Sequence, residues 1–320
     1  MKKFLSKLLT FGLIFILLGG IVFLVGFAAS GWNLKKLSGI TVTDTVYTEG
    51  AGKNLDKLNI DFNNSDVKIV FDESADSISV TYPTKTSRNG KKLTSVSIVE
   101  TESTLTLREK THWIKNLFLW DFSDEKMTVR VPALRGISLS VDTDNGDIKT
   151  EGKGVVKNMT LSTDNGDVDT TAAEIISQGK LSFETDNGDI RIGKFDTVSL
   201  SADSDNGDIT LKDGAASDKI ELSTDNGDVK IVGKIAASHF SVETDNGDVE
   251  NESGGLIDAE RTNIETDNGD IEIKLSGSKS DYTVSLKKDH GDSNITSQTG
   301  GSKYLSIDSD LGDIEVYFAN

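Results

Sequence analysis

A five-residue motif, Thr-Asp-Asn-Gly-Asp, recurs along the second half of the chain and constrains its fold more than any other feature. The motif has seven clear copies, one of them with Ser in place of Thr, and two degenerate copies, called worn copies below. Their glycines are at 146, 166, 188, 207, 227, 247, 269, 291 and 312. Neighbouring glycines in this series are separated by nearly the same length of chain. A fixed period of roughly 20 residues indicates a repeat architecture, in which each unit packs on its neighbours.

Apolar residues keep a fixed offset from the motif. The residues two positions before each clear copy are Val141, Leu161, Phe183, Ala202, Leu222, Val242 and Ile264. The residues that follow its second Asp are Ile148, Val168, Ile190, Ile209, Val229, Val249 and Ile271. Polar residues alternate with them, and this pattern predicts strands with one buried face.

The centre of each motif is predicted to form the turn between two strands, because Asn-Gly tolerates the positive φ angles of tight turns. The predicted turn residues are Asn145, Gly146, Asn165, Gly166, Asn187, Gly188, Asn206, Gly207, Asn226, Gly227, Asn246, Gly247, Asn268 and Gly269.

Two architectures fit a strand–turn–strand unit of this length. In a β-solenoid each unit is one coil, and equivalent residues stack about 4.8 Å apart. In a meander of hairpins each Asn-Gly is a two-residue loop, which places Asp144 opposite Asp147 and repeats that like-charge pair in every hairpin. Because opposed like charges destabilise a sheet, we favour an all-β solenoid of about nine coils and keep the meander as the alternative.

The sequence suggests five segments. Residues 1–7 form a tail, 8–30 a transmembrane helix, 31–40 a linker, 41–136 an irregular β cap, and 137–320 the repeat solenoid. Atypical end units such as this cap are expected in solenoids, because they cover the open edge.

The N-terminal segment predicts a location for the repeat body. Lys2, Lys3 and Lys7 precede an uncharged, mostly apolar run from Leu8 to Leu34. A run of this length is sufficient for a membrane-spanning helix, and the lysines predict a cytoplasmic N-terminus and an extracellular body. A cleaved signal peptide is the alternative interpretation, and it also places the body outside.

Composition narrows the chemistry. The chain has no cysteine, which excludes disulfides, thiol catalysis and thiolate metal sites. Residues 1–136 carry 18 Lys/Arg and 14 Asp/Glu, whereas residues 137–320 carry 16 and 38. A strongly acidic repeat surface disfavours nucleic acid and can attract cations or cationic peptides.

The motif aspartates are the candidates for site chemistry. A glycan-cleaving β-helix enzyme would use two carboxylates, but every coil repeats the same pair and none stands out as an active centre, so no catalytic residue is assigned. Calcium is the other use of these oxygens, although no complete calcium loop is present. The calcium candidates are Asp144, Asp147, Asp164, Asp167, Asp186, Asp189, Asp205, Asp208, Asp225, Asp228, Asp245, Asp248, Asp267 and Asp270. No other cofactor is expected.

An aromatic insertion at 111–123 interrupts the strand pattern. Trp113, Leu117 and Trp120 would share one face of a helix, and Phe118 lies beside them in sequence. Such a segment can contact a membrane or a partner, or it can cover the open end of the solenoid, which is the interpretation we favour.

With its anchor segment, irregular first units and Thr-Asp-Asn-Gly-Asp coils, the chain resembles the bacterial β-strand-repeat family named "putative adhesins", and within it the LiaG-like membrane-anchored proteins. The resemblance covers about residues 40–320 and brings no catalytic residues. It implies an extracytoplasmic scaffold in adhesion or in the cell-envelope stress response. The partners we expect are the membrane, through the N-terminal helix, and envelope proteins, glycans or cationic peptides, with no nucleic acid.

Overall fold

The computed structural model describes residues 2–32, 40–50, 54–87, 89–111, 126–252 and 254–319. The chain divides into two compact units. One unit consists of residues 1–44, 83–95 and 110–124, and the other of residues 45–82, 96–109 and 125–320. The second unit contains all copies of the motif.

The described residues form one α-helix, one short 3-10 helix (Lys279–Asp281) and 23 strands. Their bounds are α1 Lys2–Ala29, β1 Ile40–Thr48, β2 Lys57–Phe62, β3 Asp66–Asp72, β4 Ser79–Ser87, β5 Thr94–Glu100, β6 Thr104–Thr111, β7 Lys126–Pro132, β8 Ile137–Asn145, β9 Ile148–Asn165, β10 Val168–Ser177, β11 Lys180–Asn187, β12 Ile190–Ile192, β13 Lys194–Asn206, β14 Ile209–Leu211, β15 Gly214–Asn226, β16 Val229–Ile231, β17 Lys234–Asn246, β18 Val249–Asn251, β19 Leu256–Asn268, β20 Ile271–Ser276, β21 Tyr282–Lys288, β22 Lys303–Leu311 and β23 Ile314–Ala319.

The repeat region is a β-solenoid. At the third to sixth copies of the motif, a strand of 8–13 residues ends at the motif Asn, the Gly-Asp pair turns the corner, and a three-residue strand begins at the next residue. Equivalent strands of successive coils are parallel and in register, as Leu222 with Val242 and Ile209 with Val229 show. Because hairpins would pair these strands antiparallel, the structure confirms the solenoid and excludes the meander. The solenoid has about eight turns, one fewer than predicted.

The core contains the residues that the alternation placed inside. The seven residues two positions before the clear motifs are at most 2% exposed, and the seven that follow the second Asp are fully buried. These side chains form continuous rows along the solenoid, together with Met159, Leu181, Leu200, Ile220 and Phe240. Burial of such side chains contributes about 1.5–3 kcal/mol each, and the core therefore extends along the whole repeat.

The C-terminal coils do not stack in chain order. Strand β22 lies between β19 and β21, and β23 pairs with β20. The last worn motif therefore lies directly on the last clear one, and the worn motif that precedes it in sequence lies outside both. The backbone N–H of Asp313 donates to Asp270 Oδ1 at 2.8 Å, and that of Asp292 donates to Asp313 Oδ1 at 2.7 Å.

The N-terminal end of the second unit has the same arrangement. Strand β2 lies between β6 and β8, so that Ile60 pairs with Leu107 on one side and with Val141 on the other. Strand β3 lies between β7 and β9 in the same way. At each end, two strands therefore lie inside the stack, with another coil on either side of them. These strands are β2 and β3 at the N-terminal end and β22 and β23 at the C-terminal end.

In the first unit, α1 ends at Ala29, and the ring of Trp32 packs edge-on against Phe27 with centroids 5.1 Å apart. In the described part of the chain, no helix combines the length and the apolar character needed to cross a membrane. The transmembrane helix predicted for residues 8–30 is thus not confirmed. Most of the aromatic insertion, including Trp113, Leu117, Phe118 and Trp120, lies outside the described residues.

Candidate functional site

The motif asparagines form a ladder along one corner of the solenoid. Each side-chain amide donates a hydrogen bond to the amide oxygen of the equivalent Asn in the preceding coil. The first of these bonds joins Asn145 to Asn64 at 3.1 Å, and the last joins Asn268 to Asn246 at 3.2 Å. All seven amides also donate to a backbone carbonyl one coil back, as Asn206 does to Asp186 at 3.3 Å. Stacked amides of this kind stabilise in-register parallel strands, which assigns the motif Asn a structural role.

The second aspartate of the motif forms a parallel ladder. Oδ1 of Asp189 accepts the backbone N–H of Asp208 at 2.9 Å, and Oδ1 of Asp208 accepts that of Asp228 at 2.9 Å. The same bond links every successive copy from Asp66 to Asp292. Each of these carboxylates thereby satisfies a backbone donor at the corner, where the strand ladder is interrupted.

The carboxylates of the second motif Asp are called the second-Asp row below. Basic side chains two positions after these aspartates in the chain neutralise part of the row. Lys230 Nζ lies 2.9 Å from Asp208 and 3.0 Å from Asp228, and these hydrogen bonds raise the pKa of Lys230. Arg191 bridges Asp167, at 2.7 Å, and Asp189 in the same manner. The cations therefore screen repulsion between consecutive carboxylates of the second-Asp row.

The first residue of the motif is buried, contrary to its polar character. Its hydroxyl donates to the carbonyl of the motif glycine one coil back, as Thr224 does to Gly207 at 3.0 Å and Thr244 to Gly227 at 3.2 Å. Both threonines are 1% exposed. The hydroxyl therefore satisfies a carbonyl at the corner, and its methyl group extends the core.

The positive φ angle predicted for the motif glycines is wrong for the clear copies. None of the seven clear-motif glycines has a positive φ; among the motif glycines only Gly291 and Gly312 do. Instead, a Cβ on Gly207 would overlap the carbonyl oxygen of Gly188 and lie 2.5 Å from its carbonyl carbon. The close approach of adjacent corners is what requires glycine here.

The first aspartates of the motif form an exposed acidic row. Partial burial and the nearby Asp164 and Asp61 carboxylates raise the pKa of Asp144. Asp203 lies immediately before the Ser204 of its motif, and burial and the nearby carboxylates of Asp205 and Asp225 raise its pKa as well. Among the described residues, no group of three or more His, Cys, Asp or Glu side chains could hold a metal ion. The structure therefore does not bring the calcium candidates together as a calcium site.

A groove with different chemistry lies on the exposed side of the last regular coils and has a volume of about 630 Å³. Lys219, His239, Arg261 and Tyr304 are in register on β15, β17, β19 and β22 and form one row along it. The Arg261 guanidinium lies 4.4 Å from the centre of the Tyr304 ring. This row was not predicted from the sequence, because its members are separated by a full repeat and belong to no motif.

A second row of polar side chains runs beside the first. Ser241, Asn263 and Ser306 pair in register two positions further along the same strands, next to Glu221. Lys219 Nζ lies 2.7 Å from Glu221 Oε1, and both side chains are about half exposed. The groove therefore offers a cation, an aromatic face and hydroxyl and amide groups in an otherwise acidic region.

The sequence matches the family model Toastrack DUF4097 over residues 55–213 and 194–320, which together span most of the chain. The chain belongs to the Toastrack DUF4097 family. This confirms the resemblance to the β-strand-repeat family, whereas the narrower likeness to LiaG-like anchored proteins stays a prediction. No curated protein matches the sequence significantly.

Several solved structures are similar to this Toastrack chain. A "putative adhesin" from Parabacteroides merdae is 12% identical, with 88% of this chain and 97% of that one covered and a TM-score of 0.49. A "putative lipid binding protein" from Parabacteroides distasonis is 14% identical over 85% and 96%, with a TM-score of 0.46. A "putative adhesin" from Bacteroides fragilis is 17% identical over 86% and 97%, with a TM-score of 0.39.

Proposed function

We propose that this Toastrack protein is a non-catalytic, extracytoplasmic envelope protein whose solenoid is a rigid scaffold that carries charged surfaces. The observation that carries the proposal is the use of the motif side chains. In each regular coil the Thr or Ser, the Asn and the second Asp make the same hydrogen bonds to the preceding or following coil. Groups that recur identically in every coil support architecture rather than a single reacting centre.

Rigidity follows from the number of contacts that each coil shares with the next. A coil joins its neighbour through the strand ladders, the rows of buried apolar side chains and the three motif hydrogen bonds. Because each hydrogen bond contributes about 0.5–1.5 kcal/mol net, the motif adds several kcal/mol to each junction. A solenoid held in this way resists bending and suits a spacer or a display surface.

The extracytoplasmic location is supported by the N-terminal sequence and the composition. Lys2, Lys3 and Lys7 before an apolar run are typical of segments that direct the following chain across a membrane. The absence of cysteine agrees with an oxidising compartment. Protease added to intact wall-less cells should digest the repeat body, and a body that stays protected until the cells are lysed would refute the location.

Removal of one coil tests the scaffold role. Deletion of residues 168–189 joins Asp167 to Ile190 and keeps Arg191 beside Asp167, because Asp167 and Asp189 occupy the same position in successive motifs. We expect a folded protein with one cooperative unfolding transition, shortened by about 4.8 Å, that cofractionates with the cell envelope as the wild type does. Deletion of residues 168–178, about half a coil, is the matched control and should abolish folding, since it puts the remaining strands out of register.

The same pair of deletions can refute the proposal. If the in-phase deletion folds but is lost from the envelope, a specific site in residues 168–189 is responsible rather than the scaffold. If both deletions fold equally well, the coils are not the cooperative units described above.

A further inference from the structure

We infer that the groove formed by Lys219, His239, Arg261 and Tyr304 binds a saccharide chain that carries carboxylate or phosphate groups. This inference deepens the proposed function and rests on it, because it specifies what the display surface binds. It has its own readout, however, since binding of a purified saccharide does not depend on where the protein is located.

The groove is continuous because its lining residues are in register. Arg261 pairs with His239 on one side and with Tyr304 on the other, and Thr283 of β21 pairs with Tyr304 in turn. Parallel neighbours in a sheet lie about 4.8 Å apart, so the row from Lys219 to Tyr304 spans about 14 Å. A binding surface of this length suits several linked units of a polymer better than a single small ion.

Arg261 is the residue that selects for an anion. Within the described residues its guanidinium forms no ion pair, and it stacks on the Tyr304 ring at 4.4 Å. Stacking leaves the edge of a guanidinium free for a two-pronged hydrogen bond to a carboxylate or a phosphate. His239, exposed and adjacent in register, is a second donor.

The acidic side chains of the groove lie at its other end. Asp218 and Glu221 both line the part next to Lys219, and Lys219 is paired with Glu221 at 2.7 Å. At the end with Arg261 and Tyr304, the described lining consists of hydroxyl, amide, basic and aromatic side chains and the apolar Leu305. An anionic group is therefore favoured at that end.

The remaining lining fits a sugar. Ser241, Asn263 and Ser306 form a row of hydroxyl and amide groups that can bond to sugar hydroxyls. Tyr304, 45% exposed, presents an aromatic ring beside them, and such a ring provides apolar contact area as well as a polar hydroxyl. Acidic saccharides combine an anionic group, hydroxyls and a ring that can lie on an aromatic side chain.

Calorimetric titration of the full chain in detergent tests the inference. The probes are an oligogalacturonate, which carries carboxylates, and a phosphomannan oligosaccharide, which carries phosphates. The methyl-esterified oligogalacturonate is the matched neutral control. We expect binding of one or both anionic probes with a Kd below about 1 mM and binding of the ester at least roughly tenfold weaker. Preference between the two probes identifies carboxylate or phosphate as the group that is recognised.

Two arginine variants distinguish binding in the groove from nonspecific electrostatic attraction. Arg261→Gln should weaken the binding of the preferred probe roughly tenfold. Arg108→Gln removes the same charge from another exposed strand position, where Arg108 pairs with Asp61 at 2.6 Å, and should leave the Kd within about twofold. Tyr304→Ala should also weaken binding, and unchanged melting temperatures will show that all variants fold.

Three outcomes would overturn the inference. The first is no binding of either anionic probe, and the second is equal binding of the methyl ester. The third is equal loss of affinity in the Arg261 and Arg108 variants. Failure of this kind leaves the scaffold proposal intact, because the coil deletions do not touch the groove.

Discussion

Substitution of a mid-solenoid motif glycine tests the packing of the corners. In Gly207→Ala, the new Cβ would lie 2.5 Å from the carbonyl carbon of Gly188 and closer still to its oxygen, whereas real Cβ atoms essentially never come within 3.0 Å. Both atoms belong to backbone that is fixed by strands on either side. The two corners must therefore move apart until these contacts exceed 3.0 Å.

The hydrogen bonds at this junction set the magnitude. The Gly188 N–H donates to the Asn206 carbonyl at 3.1 Å, and the Ser204 hydroxyl donates to the Gly188 carbonyl at 3.1 Å. A separation of roughly half an ångström or more lengthens both beyond the range of a hydrogen bond. Ser204 is only 2% exposed, so each lost bond leaves buried polar groups unsatisfied at about 1–3 kcal/mol. We expect Gly207→Ala to lower the free energy of unfolding by about 3–5 kcal/mol.

Gly136→Ala is the matched control, because it separates steric overlap from backbone conformation. Gly136 has a φ of +62°, and a Cβ added there would meet no heavy atom within 4 Å, so alanine should cost only about 1 kcal/mol. Urea unfolding of both variants and the wild type, followed by circular dichroism, measures the difference. A Gly207→Ala variant that is no less stable than Gly136→Ala would refute the account of the corner.

Two charge variants test other parts of the structure. Arg135→Ala should lower the free energy of unfolding by about 3–5 kcal/mol, because it leaves the Glu49 carboxylate, whose side chain is 2% exposed, without its cation. Burial raises the pKa of Glu49, but the Arg135 guanidinium and two backbone N–H groups outweigh it and lower the pKa. This stabilisation is present at neutral pH and should be lost as the pH falls below about 4.5, a dependence that Glu49→Gln should remove in acid unfolding. Asp144→Asn should be neutral or slightly stabilising at pH 7, because burial and neighbouring carboxylates raise the pKa of Asp144 and its ionised form opposes folding. The gain in stability should decrease on acidification and with added salt. A less stable Asp144→Asn variant would contradict the proposed repulsion between these carboxylates.

Much of the fold could be predicted from the sequence because the motif and the apolar alternation repeat in one register. The row Val141 to Ile264 was placed in the core from its offset to the motif, and each member is at most 2% exposed. Repulsion between Asp144 and Asp147 favours the solenoid over the meander, and the parallel pairing confirms the solenoid. These signals are local and periodic, and sequence patterns carry such signals well.

Features that depend on neighbours in space were not predictable. The order of the terminal coils is one of them, since nothing in the sequence near 289–292 or 310–313 indicates that the later copy lies on the regular coils. The role of the motif glycines is another. A turn that contains Asn-Gly suggests a positive φ, but in the solenoid the constraint comes from Gly188 one coil away from Gly207, across the stack rather than along the chain.

The groove was missed for a related reason, although a signal for it exists. Lys219, His239, Arg261 and Tyr304 occupy the position five residues before the first residue of their motifs, where earlier coils carry Ser138, Asn158, Lys180 and Ser199. Alignment of the repeats by column, instead of inspection along the chain, reveals a column without acidic residues in a strongly acidic region. Along the chain, by contrast, His239 is an isolated histidine.

The second-Asp row shows why repeated like charges do not prevent stacking. Two carboxylates about 4.8 Å apart repel by roughly 1 kcal/mol in water and by about 3.5 kcal/mol at an effective dielectric constant of 20. Each carboxylate in the row accepts a backbone N–H at 2.7–3.2 Å, and a charge-assisted bond of this type contributes about 1.5–3 kcal/mol. Lys230 and Arg191 each bridge two neighbours in addition. These attractions are as large as the repulsion, so the repeated charges do not prevent the coils from stacking.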